Sequence, residues 1–308
     1  MSHDEISLLG VLFAVLGGAI RVGTPFLFVS LGECLTERSG RINLGLEGNL
    51  VMGAMLAYGV SYLSGSAWLG VAAAASAGAM LGLVHALLCQ QARVNDIAVG
   101  IALMLFGIGL AFFWGKPFIQ PSAPHLPSLS LGAWSDSPAL RSALEINVLF
   151  IAGVLLAPLL AWFFRNARWG LNVRCVGEST EAAMAMGLNV NRVRLLATMV
   201  GGALAGIGGS FLSLYYPGSW NEGLSSGQGL MAVALVIFAR WDPVKCVYAS
   251  LLFGGAAALG PSLQSVGITW GYYLFNAAPY VLTLAIMIAT SSAQRRLPGL
   301  PGVFSNAK

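Results

Sequence analysis

Apolar runs of about the length of a membrane span alternate with short polar connections along almost the whole chain. The runs fall at 6–36, 42–63, 67–89, 96–115, 144–164, 195–216, 228–240, 243–262 and 268–291. A helix needs about 20 apolar residues to cross a bilayer. Each run therefore predicts one transmembrane helix, about 8–10 spans in all. The first run is interrupted by Arg21 and Pro25, which leaves either one kinked span or two short ones. The seventh is short enough to be a partial helix. The predicted fold is all-α, a polytopic transmembrane bundle forming one domain over residues 1–308.

Composition agrees with this pattern. The chain is 57% hydrophobic and 9% charged, with a mean hydropathy of +0.77, whereas a soluble domain carries about 25% charged residues. The net charge of +4 does not point to nucleic acid, because the bases punctuate the apolar runs and form no stripe on a soluble face. They crowd 165–194 (Arg165, Arg168, Arg174, Arg192, Arg194), the C-terminus (Arg295, Arg296, Lys308) and the connections holding Arg38, Arg41, Arg93, Arg240 and Lys245. Placing these loops inside makes 13 of the 16 Lys and Arg cytoplasmic and leaves only Arg21, Lys116 and Arg141. The C-terminus is then cytoplasmic, and the loops 116–143 and 217–227 face outward. The former, with five prolines, reads as a structured loop and not a helix. Trp134 within it suits the membrane interface.

The N-terminus "MSHDEISLL" lacks a basic region and a cleavage site, so the first run is expected to stay in the mature protein. Cys34, Cys89, Cys175 and Cys246 have no ligand spacing, and three scattered histidines complete no metal site. No GxxxxGK[ST], HExxH or GxSxG motif occurs. Without a catalytic constellation, a transporter or channel is the expected class.

Two charged islands stand out. In "ERSGRINLGLEGN" (37–49), Arg38 and Arg41 can be topology anchors around a Gly40 turn. Asn43 and Glu47, at i and i+4, share one helix face, and Gly45 and Gly48 loosen that helix. A carboxylate near the bilayer centre costs about 2.5–3.5 kcal/mol on insertion scales, so Glu47 must face a polar cavity or a partner, with Arg21 and Arg38 as candidates. The stretch then reads as the polar turn of a discontinuous helix beside a translocation path. In the second island, 165–194, "ESTEAAMAM" begins with a Ser179 or Thr180 cap and stops at Gly187. This short helix with one apolar face either lies on the membrane surface or docks into a soluble protein. In "GGALAGIGGS", Gly202 and Gly206 stand four apart, as do Ala205 and Gly209, which permits close helix contact, whether as general packing or as a seam along a pathway.

Three blocks, "LGECLTERSGRINLGLEGNLVMGAM", "VGESTEAAMAMGLNVNRVRLLATMVGGALAGIGGSFLSL" and "GLMAVALVIFARWDPVKCVYASLLFGGAAALG", resemble the permease subunits of bacterial ABC importers. They are most similar to the simple-sugar and nucleoside branch, and more distantly to ribose and branched-chain amino-acid permeases. The resemblance runs from about residue 24 to 291. It implies a multi-pass protein of the bacterial plasma membrane with four kinds of partner: a second homologous permease, ATP-binding subunits, an extracytoplasmic substrate-binding protein and a small polar solute. It implies ATP and Mg bound by the partner ATPase and no cofactor bound by this chain. Gly177, Glu178, Glu181, Ala182, Ala183 and Gly187 match the family's cytoplasmic coupling helix. Asn43, Gly45, Glu47 and Gly48 match its early polar motif near the pathway. Asp96 and Met104 depart from it, since amides are common at those positions. Alternative readings are an ABC permease for branched-chain amino acids or another small polar solute, and a stand-alone ion-coupled transporter. The latter is expected to show two similar halves and intramembrane acids.

Overall fold

The computed structural model describes residues 8–91, 93–119, 121–135, 137–265, 271, 274–275, 277–290 and 301–305. Parts of the first and ninth predicted runs, together with Arg295, Arg296 and Lys308, lie outside them. The helices are α1 (Leu8–Arg38), α2 (Leu46–Ser64), α3 (Ala67–Leu88), α4 (Asp96–Gly115), α5 (Pro138–Ala143), α6 (Val148–Asn166), α7 (Arg168–Glu178), α8 (Thr180–Ala185), α9 (Val190–Leu214), α10 (Gln228–Phe238), α11 (Pro243–Ser265) and α12 (Ala278–Thr290), with a last turn at Gly302–Ser305. The predicted loop 116–143 holds a short 3₁₀ turn, a strand, β1 (Ser128–Ser130), and α5. β1 pairs antiparallel with β2 (Glu145–Asn147), Leu129 opposite Ile146.

Among the described residues, six helices are long and apolar enough to span a membrane: α1, α3, α4, α6, α9 and α11. The molecule is a polytopic helical membrane bundle. The first run forms one continuous helix through Pro25. Two of the other runs form helices that fall short of a span for different reasons. α2 is a 19-residue helix enclosed by protein, with Glu47, Asn49, Tyr58 and Ser61 among its buried residues, so it needs little apolar surface of its own. α10 has only 11 residues, about 17 Å of helix against a hydrocarbon core of about 30 Å.

Unlike a soluble protein, the bundle is apolar on its outer surface as well as in its core. α4 buries Gly100, Gly107, Ala111 and Gly115 and turns Leu105, Phe106 and Phe113 outward, as suits a helix with protein on one side and lipid on the other. The centre is α9, packed against α1, α2 and α3. Its Gly202 and Gly206 sit so close to α3 that a Cβ on either would fall inside the shell of a backbone oxygen, of Gly78 and of Ala74 respectively. One on Gly209 would meet the carbonyl of Leu50 in α2. All three predicted packing glycines therefore lie in one helix seam.

One end of the bundle gathers the basic residues. There Arg38 Nε donates to the Trp241 carbonyl at 2.8 Å, and its guanidinium lies 4.7 Å from the Phe164 ring centre. Trp241 donates its indole N–H to Glu37 Oε2. Arg41 pairs with Asp96 at 2.6 Å and donates to the Cys89 carbonyl. The C-terminus of α1, the α10–α11 turn and the start of α4 are thereby fastened together.

Candidate functional site

The chain breaks after α1 at 39–45. Gly40, with φ +81°, makes the turn, and the chain then runs back along α1. The Asn43 N–H donates to Glu33 Oε1 at 2.8 Å, and Asn43 Oδ1 accepts from the Gly45 N–H at 2.9 Å. Glu33 lies five residues before the end of α1, so α2 begins about 7 Å inside that end.

α10 is broken in the opposite sense. Its C-terminal end reaches the turn at Trp241, beside Arg38, and its N-terminus lies about 17 Å away, near mid-bundle. The start of α2 and the N-terminus of α10 meet at Glu47. Glu47 Oε1 accepts from Ser225 Oγ at 2.5 Å and from the Gly227 N–H at 3.0 Å, and Oε2 accepts from the Gly229 N–H at 2.5 Å. The carboxylate is 5% exposed. A helix N-terminus concentrates unpaired N–H groups and partial positive charge, so a buried anion is stabilised there without a cationic side chain. Neither expected arginine is its partner: Arg38 is held by Trp241, and Arg21 bonds Ser142 and Glu145.

Gly45 and Gly48 do something other than loosen a helix. α2 is regular through Gly48, and a Cβ there would lie 2.9 Å from the Leu103 carbonyl oxygen and the Met104 Cα of α4. They admit α4 closely against the break. Several buried polar atoms around the break have no partner among the described residues: Glu33 Oε2, Asn43 Nδ2, Asn49 Nδ2 and Gln228 Oε1.

Sequence reasoning missed Glu33, Ser225, Gly227, Gly229 and Gln228. An acid inside an apolar run was the available signal for Glu33. For the others it was "SSGQG" directly before a helix too short to span. Residues 217–227 read as an outward loop, yet their last members are drawn onto Glu47.

The second island forms the surface of the basic end. Ser179 caps α8, its Oγ accepting from the Ala182 N–H at 3.2 Å. Gly187, with φ +78°, closes the turn by donating to the Met184 carbonyl at 2.9 Å. Glu178, Glu181, Ala182 and Gly187 are exposed. Ala183 is fully buried with Val173, Val176 and Val190, and Gly177 packs on the Arg38 carbonyl. The exposed apolar face belongs to Met184 and Met186, 56% and 62% accessible, which the sequence pattern did not separate from Ala183. Arg194 joins the two islands: its Nη2 donates to Thr180 Oγ1 at 2.9 Å and its Nε to the Ser39 carbonyl at 3.1 Å.

The fold is a many-helix membrane bundle in which the short α10 ends inside the protein on Glu47 of α2, with a capped turn exposing two methionines at one end. The chain belongs to the family described as branched-chain amino acid transport system / permease component, whose model matches residues 15–291. It is similar to a putative glucose ABC transporter permease protein of Haloferax volcanii, TsgC13 (35% identical, over 92% of this chain and 94% of the relative). It is also similar to the guanosine ABC transporter permease protein NupQ of Bacillus subtilis (28%, over 91% and 92%). A third relative is the nucleoside ABC transporter permease protein NupC of Lactococcus lactis (28%, over 92% and 93%). The chain is thus an ABC-transporter permease subunit, a multi-pass membrane protein of a transport family.

Proposed function

We propose that this chain is one permease of an ATP-driven importer that carries nucleosides, nucleobases or simple sugars across a bacterial plasma membrane. The observation that carries this reading is likeness over nine-tenths of the chain to permeases named for glucose, guanosine and nucleosides. The site supports it. Asn43 Nδ2 and Gln228 Oε1 are neutral hydrogen-bonding atoms without partners among the described residues. Such groups suit sugar hydroxyls and purine edges. Branched-chain amino acids are the second reading, favoured by the description of the family. A zwitterion would call for opposed charges, and the Glu47 carboxylate is already occupied by Ser225, Gly227 and Gly229.

In this reading the basic end is cytoplasmic, by the positive-inside rule, and the C-terminus lies on that side. The permease pairs with a second, homologous permease. ATP-binding subunits that hold ATP and Mg dock on Glu178, Glu181, Ala182, Met184, Met186 and Gly187. A substrate-binding protein delivers solute at the opposite face. Closure of the ATPase pair moves the α8 turn. Arg194 passes that movement to Ser39, and the 39–45 turn passes it to the Glu47 clamp on α10. Asn43, Gly45, Glu47 and Gly48 thereby border the path, Glu47 by fixing the start of α10. The chain biases one conformation over another through such contacts.

The test is ATP-dependent uptake of radiolabelled nucleosides, sugars and leucine by proteoliposomes carrying this chain with its neighbouring permease, ATPase and binding protein. Nucleoside or sugar uptake that needs ATP is the expected result. Leucine uptake alone would favour the second reading, and uptake by this chain alone along an ion gradient would remove both.

A further inference from the structure

A groove of about 420 Å³ opens on the outer side of the bundle near its basic end, between α6, α7 and α9. Leu159, Phe163, Trp169, Val173, Leu196 and Val200 line it, and its wall is almost wholly apolar. Leu159 (57%), Trp169 (49%) and Val200 (43%) are open to the surroundings. Along α9, Arg192, Leu196 and Val200 follow at i, i+4 and i+8, so the guanidinium stands at the basic end of the stripe that walls the groove. Arg165 and Arg168 flank the α6–α7 turn immediately before Trp169. All three arginines are exposed, and none of their guanidinium groups makes a hydrogen bond or ion pair with a described residue. The half-buried arginines at the same end behave otherwise: Arg38, Arg41 and Arg194 are each bonded to a carbonyl or a carboxylate.

We propose that the groove is a binding site for an anionic phospholipid, with one acyl chain against Trp169 and Leu196 and the phosphate headgroup among Arg165, Arg168 and Arg192. The apolar wall fits hydrocarbon and offers nothing to a polar solute. Positive charge stands at its basic end, on the guanidinium groups of Arg165, Arg168 and Arg192. Basic pockets between membrane helices recognise anionic headgroups on this principle. α7 has the matching form, burying Val173 and Val176 while exposing Arg168, Trp169, Leu171 and Arg174, as an interfacial helix does. The occupant is lipid and not a partner helix, because a helix seated there would place three free guanidinium groups at its rim without anions to meet them.

The experiment uses the full chain in nanodiscs of phosphatidylcholine containing a minor fraction of phosphatidylglycerol with brominated acyl chains, which quench tryptophan on contact. The Trp169 signal is the difference between the wild type and Trp169→Phe. The expected result is quenching by brominated phosphatidylglycerol about tenfold more effective than by brominated phosphatidylcholine at equal fraction. High salt should reduce the preference, and Arg168→Gln with Arg192→Gln should abolish most of it. Equal quenching by the two headgroups at low salt would overturn the proposal. So would a Trp169 shielded from both lipids, which would put protein in the groove. The wild-type comparison of headgroups and salt decides the matter even if the arginine variant fails to fold.

Discussion

Replacing Gly206 with leucine is expected to leave no folded permease in the membrane. Gly206 faces two helices at once. A Cβ there would enter the shell of the Ala74 carbonyl in α3, while the Gly206 backbone lies against Gly53 of α2, where an added Cβ would be 2.7 Å from the Gly206 Cα. These neighbours are backbone, so no side chain can rotate away. Overpacking a core ordinarily costs about 1–3 kcal/mol and occasionally more. Here α3 would have to withdraw from α9, which cannot shift the other way because α2 already lies against the Gly206 backbone, and a domain's total stability is about 5–15 kcal/mol. The measurement is the yield of monodisperse protein in detergent and its thermal unfolding. Gly109→Leu is the control: a Cβ at Gly109 meets nothing within 4 Å, and this variant should behave as wild type. Normal yield of the Gly206 variant would mean that the α9 seam is looser than its geometry states.

Glu47→Gln is expected to abolish transport of every solute alike. The wild-type carboxylate accepts three hydrogen bonds, from Ser225 Oγ, Gly227 N–H and Gly229 N–H. A glutamine has one acceptor oxygen, so its amide must turn N–H groups toward a backbone N–H or the serine hydroxyl. Losing one charge-assisted bond and leaving a buried donor unpaired costs about 3 kcal/mol. That is enough to release the start of α10 without dissolving the bundle. Uptake of two different solutes by wild type and variant checks this. A common loss marks Glu47 as the clamp. Loss confined to one solute, with the other carried at the full rate, would make the carboxylate a solute contact instead.

Much of this architecture was legible because membrane constraints write themselves locally. Apolar run length predicted α3, α4, α6, α9 and α11 closely, and Ser179 with Gly187 bounded α8 at both ends. Glycine spacing at 202, 206 and 209 located the central seam. What escaped depends on contacts far apart in sequence. Glu47 lies about 180 residues from Ser225 and Gly229, and an anion held by backbone N–H groups leaves no charged partner to find. The expectation of an arginine followed from side chains alone, whereas the helix N-terminus that took its place is a property of folded backbone. The same limit applies at the coupling segment. The family resemblance grouped Ala182 and Ala183, but only the packing of α8 on Val173 and Val190 shows that Ala183 is buried and that Met184 and Met186 form the outward face.

If the α8 turn transmits ATPase movement to the permease, charge placed on its exposed methionines must uncouple the complex. Uptake and ATP hydrolysis measured together in the reconstituted complex, with and without Met184→Arg and Met186→Arg, test it most directly. Both side chains are exposed, so the permease itself should fold normally. Uptake is expected to disappear, and hydrolysis no longer to respond to solute-loaded binding protein. Uptake continuing at the wild-type rate in the double variant would contradict it.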